Sequence, residues 1–158
     1  MTRDQMFMQA ALAQARLAAD EGEVPVGAVV VYRDEIIAAA HNTRENDKCA
    51  TSHAELRALE MACSARGGWR LFDCELYVTL EPCAMCAGAA VNARVERVVY
   101  GAPDKRFGAL GSAFDLMAVE LNHRYEVVAG VLEDECRELL QSFFRQRRGF
   151  RNADGTGN

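Results

Sequence analysis

Two short segments of this chain carry side chains that bind metal ions and move protons. His53 and Glu55 lie two residues apart, and Cys83 and Cys86 directly follow Pro82. Cysteines three residues apart project from the same side of a helix, so both sulfurs can reach one ion. The positive end of the helix dipole favours the thiolates that zinc requires. The spacing therefore predicts a zinc site formed by His53, Cys83 and Cys86.

Three protein ligands leave the fourth tetrahedral position of zinc open to water, as in catalytic zinc sites. Glu55 is close enough in sequence to His53 to contact that water without binding the metal. A carboxylate there can accept the proton of the attacking water and return it to the substrate. The joint pattern H-x-E and P-C-x-x-C is typical of zinc-dependent nucleobase deaminases. We therefore predict hydrolysis of an exocyclic amine, with Glu55 as the catalytic group.

A structural zinc site and a redox pair are the alternatives, because C-x-x-C occurs in both. A closed site needs a fourth ligand, and the sequence contains four candidates: His41, Cys49, Cys74 and His123. None of these belongs to a second closely spaced pair, and a redox pair does not explain the His-x-Glu segment. The catalytic interpretation accounts for both segments.

The elements that must position these residues follow from the hydrophobic pattern. Helices are predicted at 3–20, 53–65, 83–93 and 132–148, and strands at 24–32, 36–40, 75–79, 95–100 and 125–129. Thr2 and Gln5 can form a capping box at the first helix. This order predicts an α/β fold, a three-layer α/β/α sandwich with a mixed five-stranded sheet. Residues 1–151 are expected to form one domain, and 152–158 a disordered tail.

Composition narrows the function classes. The 158 residues carry a net charge of −5, which argues against a protein that coats nucleic acid through positive charge. Residues 143–151 nevertheless contain four arginines among aromatics, which suits a compact RNA contact or, equally, a helix end whose cations complement its dipole. No segment has the length and apolarity of a membrane span or a signal peptide, so we predict a cytoplasmic protein whose six cysteines are free or metal-bound.

Several further segments carry a family resemblance: 23–28 (EVPVGA), 76–88, 97–102, 122–124, 134–136 and 143–148. Over residues 5–148 the chain resembles the bacterial tRNA-specific adenosine deaminases, members of the cytidine and deoxycytidylate deaminase superfamily. The resemblance implies a cytidine deaminase-like fold, one zinc ion per subunit and a homodimer, with no nucleotide cofactor. It also implies conversion of adenosine to inosine at the wobble position of a tRNA anticodon stem-loop.

The resemblance also implies substrate contacts, which we expect at Asn42, Pro25, Val26, Ala84, Asp104, Asn122 and Phe144. Four of them have simpler interpretations: Asn42 and Asp104 can close turns, and Val26 and Phe144 can be core. The family often has a proline shortly before His-x-Glu, where this chain has residues 49–52 (CATS).

Two other functions remain possible from the sequence. A deaminase of the same fold can act on a free base or nucleoside, such as guanine or cytosine. A zinc-stabilised RNA-binding module without catalysis is the second.

Overall fold

The structure, a computed structural model, describes residues 1–153, with side chains described through Gly149. Its elements are α1 (Arg3–Asp20), β1 (Gly27–Tyr32), β2 (Glu35–His41), α2 (Arg44–Asp47), α3 (Ala54–Arg66), β3 (Cys74–Leu80), α4 (Ala84–Asn92), β4 (Arg97–Ala102), a 3-10 turn (Leu116–Ala118), β5 (Glu126–Val128) and α5 (Glu133–Ala153). The capping box of Thr2 and Gln5 is confirmed. Most of the tail predicted to be disordered, 154–158, lies outside the described residues.

Within the described residues the strands form one mixed five-stranded sheet in the order β2-β1-β3-β4-β5. The pairs β1–β2 and β1–β3 are antiparallel, whereas β3–β4 and β4–β5 are parallel. Helices α3 and α4 cover one face, and α1 and α5 cover the other. The predicted three-layer α/β/α sandwich is confirmed.

The central strands are apolar because both of their faces are buried. On β1, Val30 packs into the cluster under α3 and α4, whereas Val29 and Val31 pack into the cluster under α1 and α5. A Cβ atom on Gly27 would lie 2.0 Å from the Ala11 carbonyl oxygen, so only glycine allows α1 to approach β1 this closely. The sheet is thereby a rigid support for the loops at its edges.

Most boundaries lie within two residues of the prediction, and three differences are larger. Strand β1 begins at Gly27 because Pro25 has no N–H and Val26 donates instead to the Val24 carbonyl. Residues 42–52, which lie outside the predicted helices and strands, contain the short helix α2, whose Glu45 and Asn46 N–H groups donate to the Glu23 carboxylate. Helix α5 continues past residue 148 to Ala153. Among residues 1–153 no helix combines the length and apolarity needed to span a bilayer.

Candidate active site

Two helix starts bring the predicted metal ligands together. His53 is the N-cap residue of α3, and Cys83 is the N-cap residue of α4, both with extended backbone. Cys86 lies in the first turn of α4 and is fully buried. The Asn42 side-chain oxygen accepts a hydrogen bond of 2.8 Å from the Ala54 N–H, which fixes the start of α3 and therefore His53. The two segments predicted from sequence converge at one point.

The distances within this group fit a tetrahedral metal ion. Nδ1 of His53 lies 3.5 Å from Sγ of Cys86 and 3.8 Å from Sγ of Cys83. An ion bound tetrahedrally to nitrogen at about 2.05 Å and to sulfur at about 2.3 Å holds these atoms about 3.6 Å apart. Among the side chains that the structure describes, only these three form a group able to hold a metal ion, here called the metal-binding group. Imidazole with two thiols is a donor set that suits zinc.

Glu55 lies beside this group in the first turn of α3. Its side chain is 4% exposed, and it contacts the thiol of Cys86. Burial raises the pKa of the Glu55 carboxyl to about 7, because the charged form loses its hydration. A carboxyl group with such a pKa can both accept and release a proton near neutral pH.

The electrostatics concentrate negative charge at the thiols. The hydrogen bond that Cys86 donates to Cys83 lowers the pKa of Cys83 to about 3 and raises the pKa of Cys86. The Cys83 sulfur in turn raises the pKa of His53, since it stabilises the imidazolium. A thiolate, a second thiol and a buried carboxyl group around one imidazole form an environment that a cation stabilises.

A cavity of about 720 Å³ opens above the group. His53, Glu55 and Cys83 form part of its lining, so a ligand in the cavity reaches both the metal-binding group and the carboxyl group. The volume is in the usual range of small-molecule sites, about 300–1,000 Å³. The arrangement can therefore bind a small polar group and transfer protons to it.

The other candidate ligands lie elsewhere. His41 contacts Gln14 and Glu21, and the His123 ring contacts the Val95 carbonyl at 2.6 Å. Cys49 is exposed, and Cys74 is buried in the core under α3 and α4. Within the described side chains the group thus keeps three ligands.

Comparison with known proteins identifies the family. Residues 2–148 match the model of the MafB19-like deaminases. The chain is 51% identical over 149 residues to a tRNA-specific adenosine deaminase of Bacillus subtilis strain 168, covering 94% of this chain and 92% of that protein. It is 44% identical over 143 residues to the enzyme of the same name in Streptococcus pyogenes serotype M1, covering 90% and 84%. The chain belongs to the tRNA-specific adenosine deaminase family.

Solved structures of similar proteins agree. One, from studies of A-to-I editing by tRNA:A34 deaminases at the wobble position of transfer RNA, is 42% identical with a TM-score of 0.83, covering 85% of this chain and 99% of that one. A guanine deaminase from Nitrosomonas europaea is 28% identical with a TM-score of 0.75, covering 88% and 83%. Deaminases of free bases therefore share the fold.

In this tRNA-specific adenosine deaminase family member, several expected substrate residues line the cavity. These are Asn42, Val26, Asp104 and Phe144. The Asn42 oxygen accepts a hydrogen bond from the Ala54 N–H, so Asn42 also positions the start of α3. Asp104 also closes its own turn, since Oδ1 accepts from the N–H groups of Arg106 and Phe107.

Three expected substrate residues have a different setting. Pro25 is buried next to the cavity, whose lining includes its neighbours Val24 and Val26 instead. Ala84 is exposed at the start of α4, where the first N–H groups of a helix have no intrahelical partner. Asn122 is exposed in the segment before β5 and lies outside this lining.

Sequence reasoning missed part of the wall. The additional lining residues are Val24, Arg44, Leu80, Glu81, Pro103, Lys105, Arg106, Phe107 and Leu140. Phe107 is 64% exposed, and the guanidinium of Arg106 lies 5.6 Å from the centre of its ring. An exposed aromatic residue beside two cations was a usable signal of nucleic-acid contact. Arg44 gave no such signal, because it lies at the cavity only through the short helix α2, which the sequence did not predict.

Proposed function

We propose that this protein converts adenosine to inosine at the wobble position of a tRNA anticodon, releasing ammonia. The observation that carries the proposal is the open three-ligand group of His53, Cys83 and Cys86 beside the buried Glu55, at the base of a cavity. The names of the relatives in Bacillus subtilis and Streptococcus pyogenes support the substrate class.

The three ligands would hold one zinc ion, which when bound supplies Lewis acidity and activates water at neutral pH. Glu55 lies where it can accept the proton of the attacking water. The same carboxyl group then donates that proton to the purine ring nitrogen, accepts the remaining proton of the added hydroxyl group and donates it to the departing amine. Its burial excludes bulk water from this transfer, so the proton stays between Glu55 and the substrate.

The cavity rim explains how an acidic protein can bind RNA. The chain has a net charge of −5, yet Arg44, Lys105 and Arg106 are exposed at the rim. On α5, Arg145 and Arg148 flank Phe144, which also lines the cavity. Cations at the rim attract phosphates, and exposed aromatic rings stack on splayed bases. These groups fit an anticodon loop with its target base inserted into the cavity.

A homodimer is the second part of the proposal, and we place the reaction in the cytoplasm with its tRNA substrate. An apolar groove between α3 and α4 includes Leu56, Met85 and Ala89, and Trp69 nearby is 51% exposed. Such a surface suits a self-association interface. Sedimentation equilibrium should give twice the chain mass of 17.4 kDa, and Trp69→Glu should shift it toward the monomer. A monomeric unmutated protein contradicts this part.

The decisive experiment uses a synthetic anticodon stem-loop with adenosine at the wobble position. Inosine should appear in the digested product by liquid chromatography and mass spectrometry. Metal analysis should give about one zinc ion per chain. Iron or cobalt can occupy the same donors, and the metal analysis distinguishes them.

Glu55→Ala separates catalysis from binding. The variant should keep zinc and bind the stem-loop, with turnover reduced by about 10³-fold or more. Glu126→Gln, at the opposite end of the sheet and 68% exposed, is the control and should retain turnover. An unmutated protein that binds zinc and RNA without deamination would be the non-catalytic zinc module instead.

A free-base deaminase is the alternative that the Nitrosomonas europaea guanine deaminase supports, since that protein shares the fold. The assay therefore compares the stem-loop with free adenosine, guanine and cytidine. Ammonia released from a free base, with no inosine in the stem-loop, would reject the tRNA substrate.

A further inference from the structure

A second buried carboxyl group lies next to the metal-binding group. Glu81 is 2% exposed and follows the last residue of β3. Its side-chain oxygens accept hydrogen bonds from the N–H groups of Asp104 (3.1 Å), Leu110 (3.0 Å) and Ser112 (3.1 Å). The hydroxyl group of Ser112 donates a further one. The donors that bond to this carboxylate thus all come from one loop.

That loop, residues 103–112, is here called the Asp104 loop. Its first part is a turn closed by the bond from the Gly108 N–H to the Asp104 carbonyl (2.8 Å). A Cβ atom on Gly108 would lie 2.3 Å from the Glu81 carboxylate, so only glycine lets the turn pack on it. The carboxylate contacts donors at both ends of the loop and fixes them relative to β3.

The Asp104 loop also faces the cavity, whose lining includes Glu81 itself. Residues 103–107 form a continuous part of the lining, and they include the exposed Lys105, Arg106 and Phe107. These three side chains are the cationic and aromatic groups of this wall. Their backbone belongs to the turn, which contacts Glu81 through the Asp104 N–H and through Gly108.

We propose that Glu81 is a positioning residue that sets the affinity of the site for the nucleotides flanking the target base. It does so by holding the Asp104 loop against the cavity. The proposal rests on the proposed function for its substrate. Hydrogen bonds to a carboxylate are about twice as strong as neutral ones, and the group is buried, so the loop has one strongly preferred position. Glu81 itself takes no part in proton transfer.

The first test is Glu81→Gln, assayed on the wobble-adenosine stem-loop. An amide keeps the size of the side chain but loses its charge and one acceptor oxygen. KM should rise about tenfold while kcat stays within about threefold, the pattern of lost uniform binding. In a Glu55→Ala background the stem-loop Kd should rise by the same factor. Glu126→Gln is the matched control and should leave KM, kcat and Kd unchanged.

Gly108→Ala approaches the same contact from the loop. It should raise KM similarly, and Glu81→Gln with Gly108→Ala should be no worse than about the larger single effect, because both release one turn. Gly68→Ala, where a Cβ atom meets nothing within 4 Å, is the control for adding a methyl group. If the KM of the double variant rose by the product of the two single effects, the two substitutions would act independently and would not release the same turn.

Hydrogen exchange tests the anchor without any activity. In Glu81→Gln the amides of Asp104, Leu110 and Ser112 should lose protection, while those of β3 and β4 keep it. Glu23→Gln should instead release Glu45 and Asn46, whose N–H groups bond to Glu23. If the unmutated protein does not deaminate the stem-loop, the hydrogen-exchange experiment still tests whether Glu81 holds the Asp104 loop.

Three results would overturn the proposal. Unchanged hydrogen-exchange protection of the Asp104 loop in Glu81→Gln would show that Glu81 does not hold the loop. Loss of amide protection with unchanged KM and Kd would show that the loop position does not set the affinity. A loss of metal, or a fall in kcat at unchanged KM, would assign Glu81 to the metal-binding group instead.

Discussion

The two ends of the parallel pair β3–β4 both gather ionisable side chains, in opposite ways. At the amino end, Arg3 and Arg97 bond to Glu75, and Arg97 also bonds to Asp4 at 2.7 Å. The Tyr77 hydroxyl group joins them by donating to Asp4. Cations and anions alternate here, so the network is neutralised by the chain's own side chains.

At the carboxyl end, acidic groups converge instead. Glu55, Cys83 and Cys86 surround the single imidazole of His53. The first end pairs its charges within the chain, whereas the second gathers acidic groups around one imidazole, an arrangement able to hold a metal ion. Groups that stay uncompensated within the chain are therefore the ones expected to act on a ligand.

The largest expected effect comes from removing one ligand at the carboxyl end. Cys86→Ser should lose the bound metal and reduce turnover by about 10³-fold or more, because one donor of three is replaced by a weaker one. Metal analysis and the stem-loop assay measure both. Cys136→Ser is the matched control, since Cys136 is equally buried in the other core and should retain metal and turnover. Retained metal in Cys86→Ser would contradict the ligand assignment.

The amino end should respond in stability and not in catalysis. Arg97→Met removes the closest cation of Asp4 and leaves Glu75 with Arg3 alone, which should lower the free energy of unfolding by about 2 kcal/mol. Urea unfolding of the metal-loaded protein measures this, and kcat should be unchanged. Arg33→Met is the control, because Arg33 is 72% exposed and lies 3.7 Å from Asp73. A large fall in kcat would show that the two ends are coupled.

Much of the fold was predictable because its signals are local. The apolar runs of β1, β3 and β4 and the periodicity of α1 lie within single segments, and the predicted fold class was confirmed. Strand β1 was predicted to begin at 24, because the pattern of apolar residues does not show the turn at Val26. Helix α2 was missed for a similar reason: its N–H groups are accepted by Glu23, about twenty residues away in sequence, and its composition alone is that of a loop.

The residues of the site also divide into those that the sequence predicted and those that it did not. Residue type and spacing selected His53, Glu55, Cys83 and Cys86, because two helix starts carry them all. Their catalytic roles stay predictions. The anchoring role of Glu81 was not visible, since its partners lie 23 to 31 residues along the chain and depend on the loop conformation.

Acid should weaken the amino end through Asp4. The hydrogen bond from Arg97 lowers the pKa of Asp4 to about 2, below the usual value near 3.9. A carboxyl group with a lowered folded-state pKa stabilises the fold above its unfolded pKa, and this contribution is lost as pH falls from about 4 toward 2. Between pH 5 and 2, the free energy of unfolding of a Cys86→Ser protein should fall by about 1 to 2 kcal/mol more than that of the same protein with Asp4→Asn.

That background has lost a metal ligand, so protons competing with zinc for the thiols do not contribute to the difference. Urea unfolding at closely spaced pH values gives both curves. Parallel curves would mean that Asp4 titrates alike in the folded and unfolded chain, and the compensation argued for the amino end would lose its main support.

The smallest effect marks where the network ends. Asp34 accepts a hydrogen bond of 2.6 Å from Arg3, but its side chain is 76% exposed. Water competes for both partners, so Asp34→Asn should change the free energy of unfolding by less than about 0.5 kcal/mol. Asparagine tolerates the positive φ of 67° at this turn, so the backbone adds little. Urea unfolding at low and high salt measures the change, and a salt-dependent loss near that of Arg97→Met would extend the compensated network to the surface.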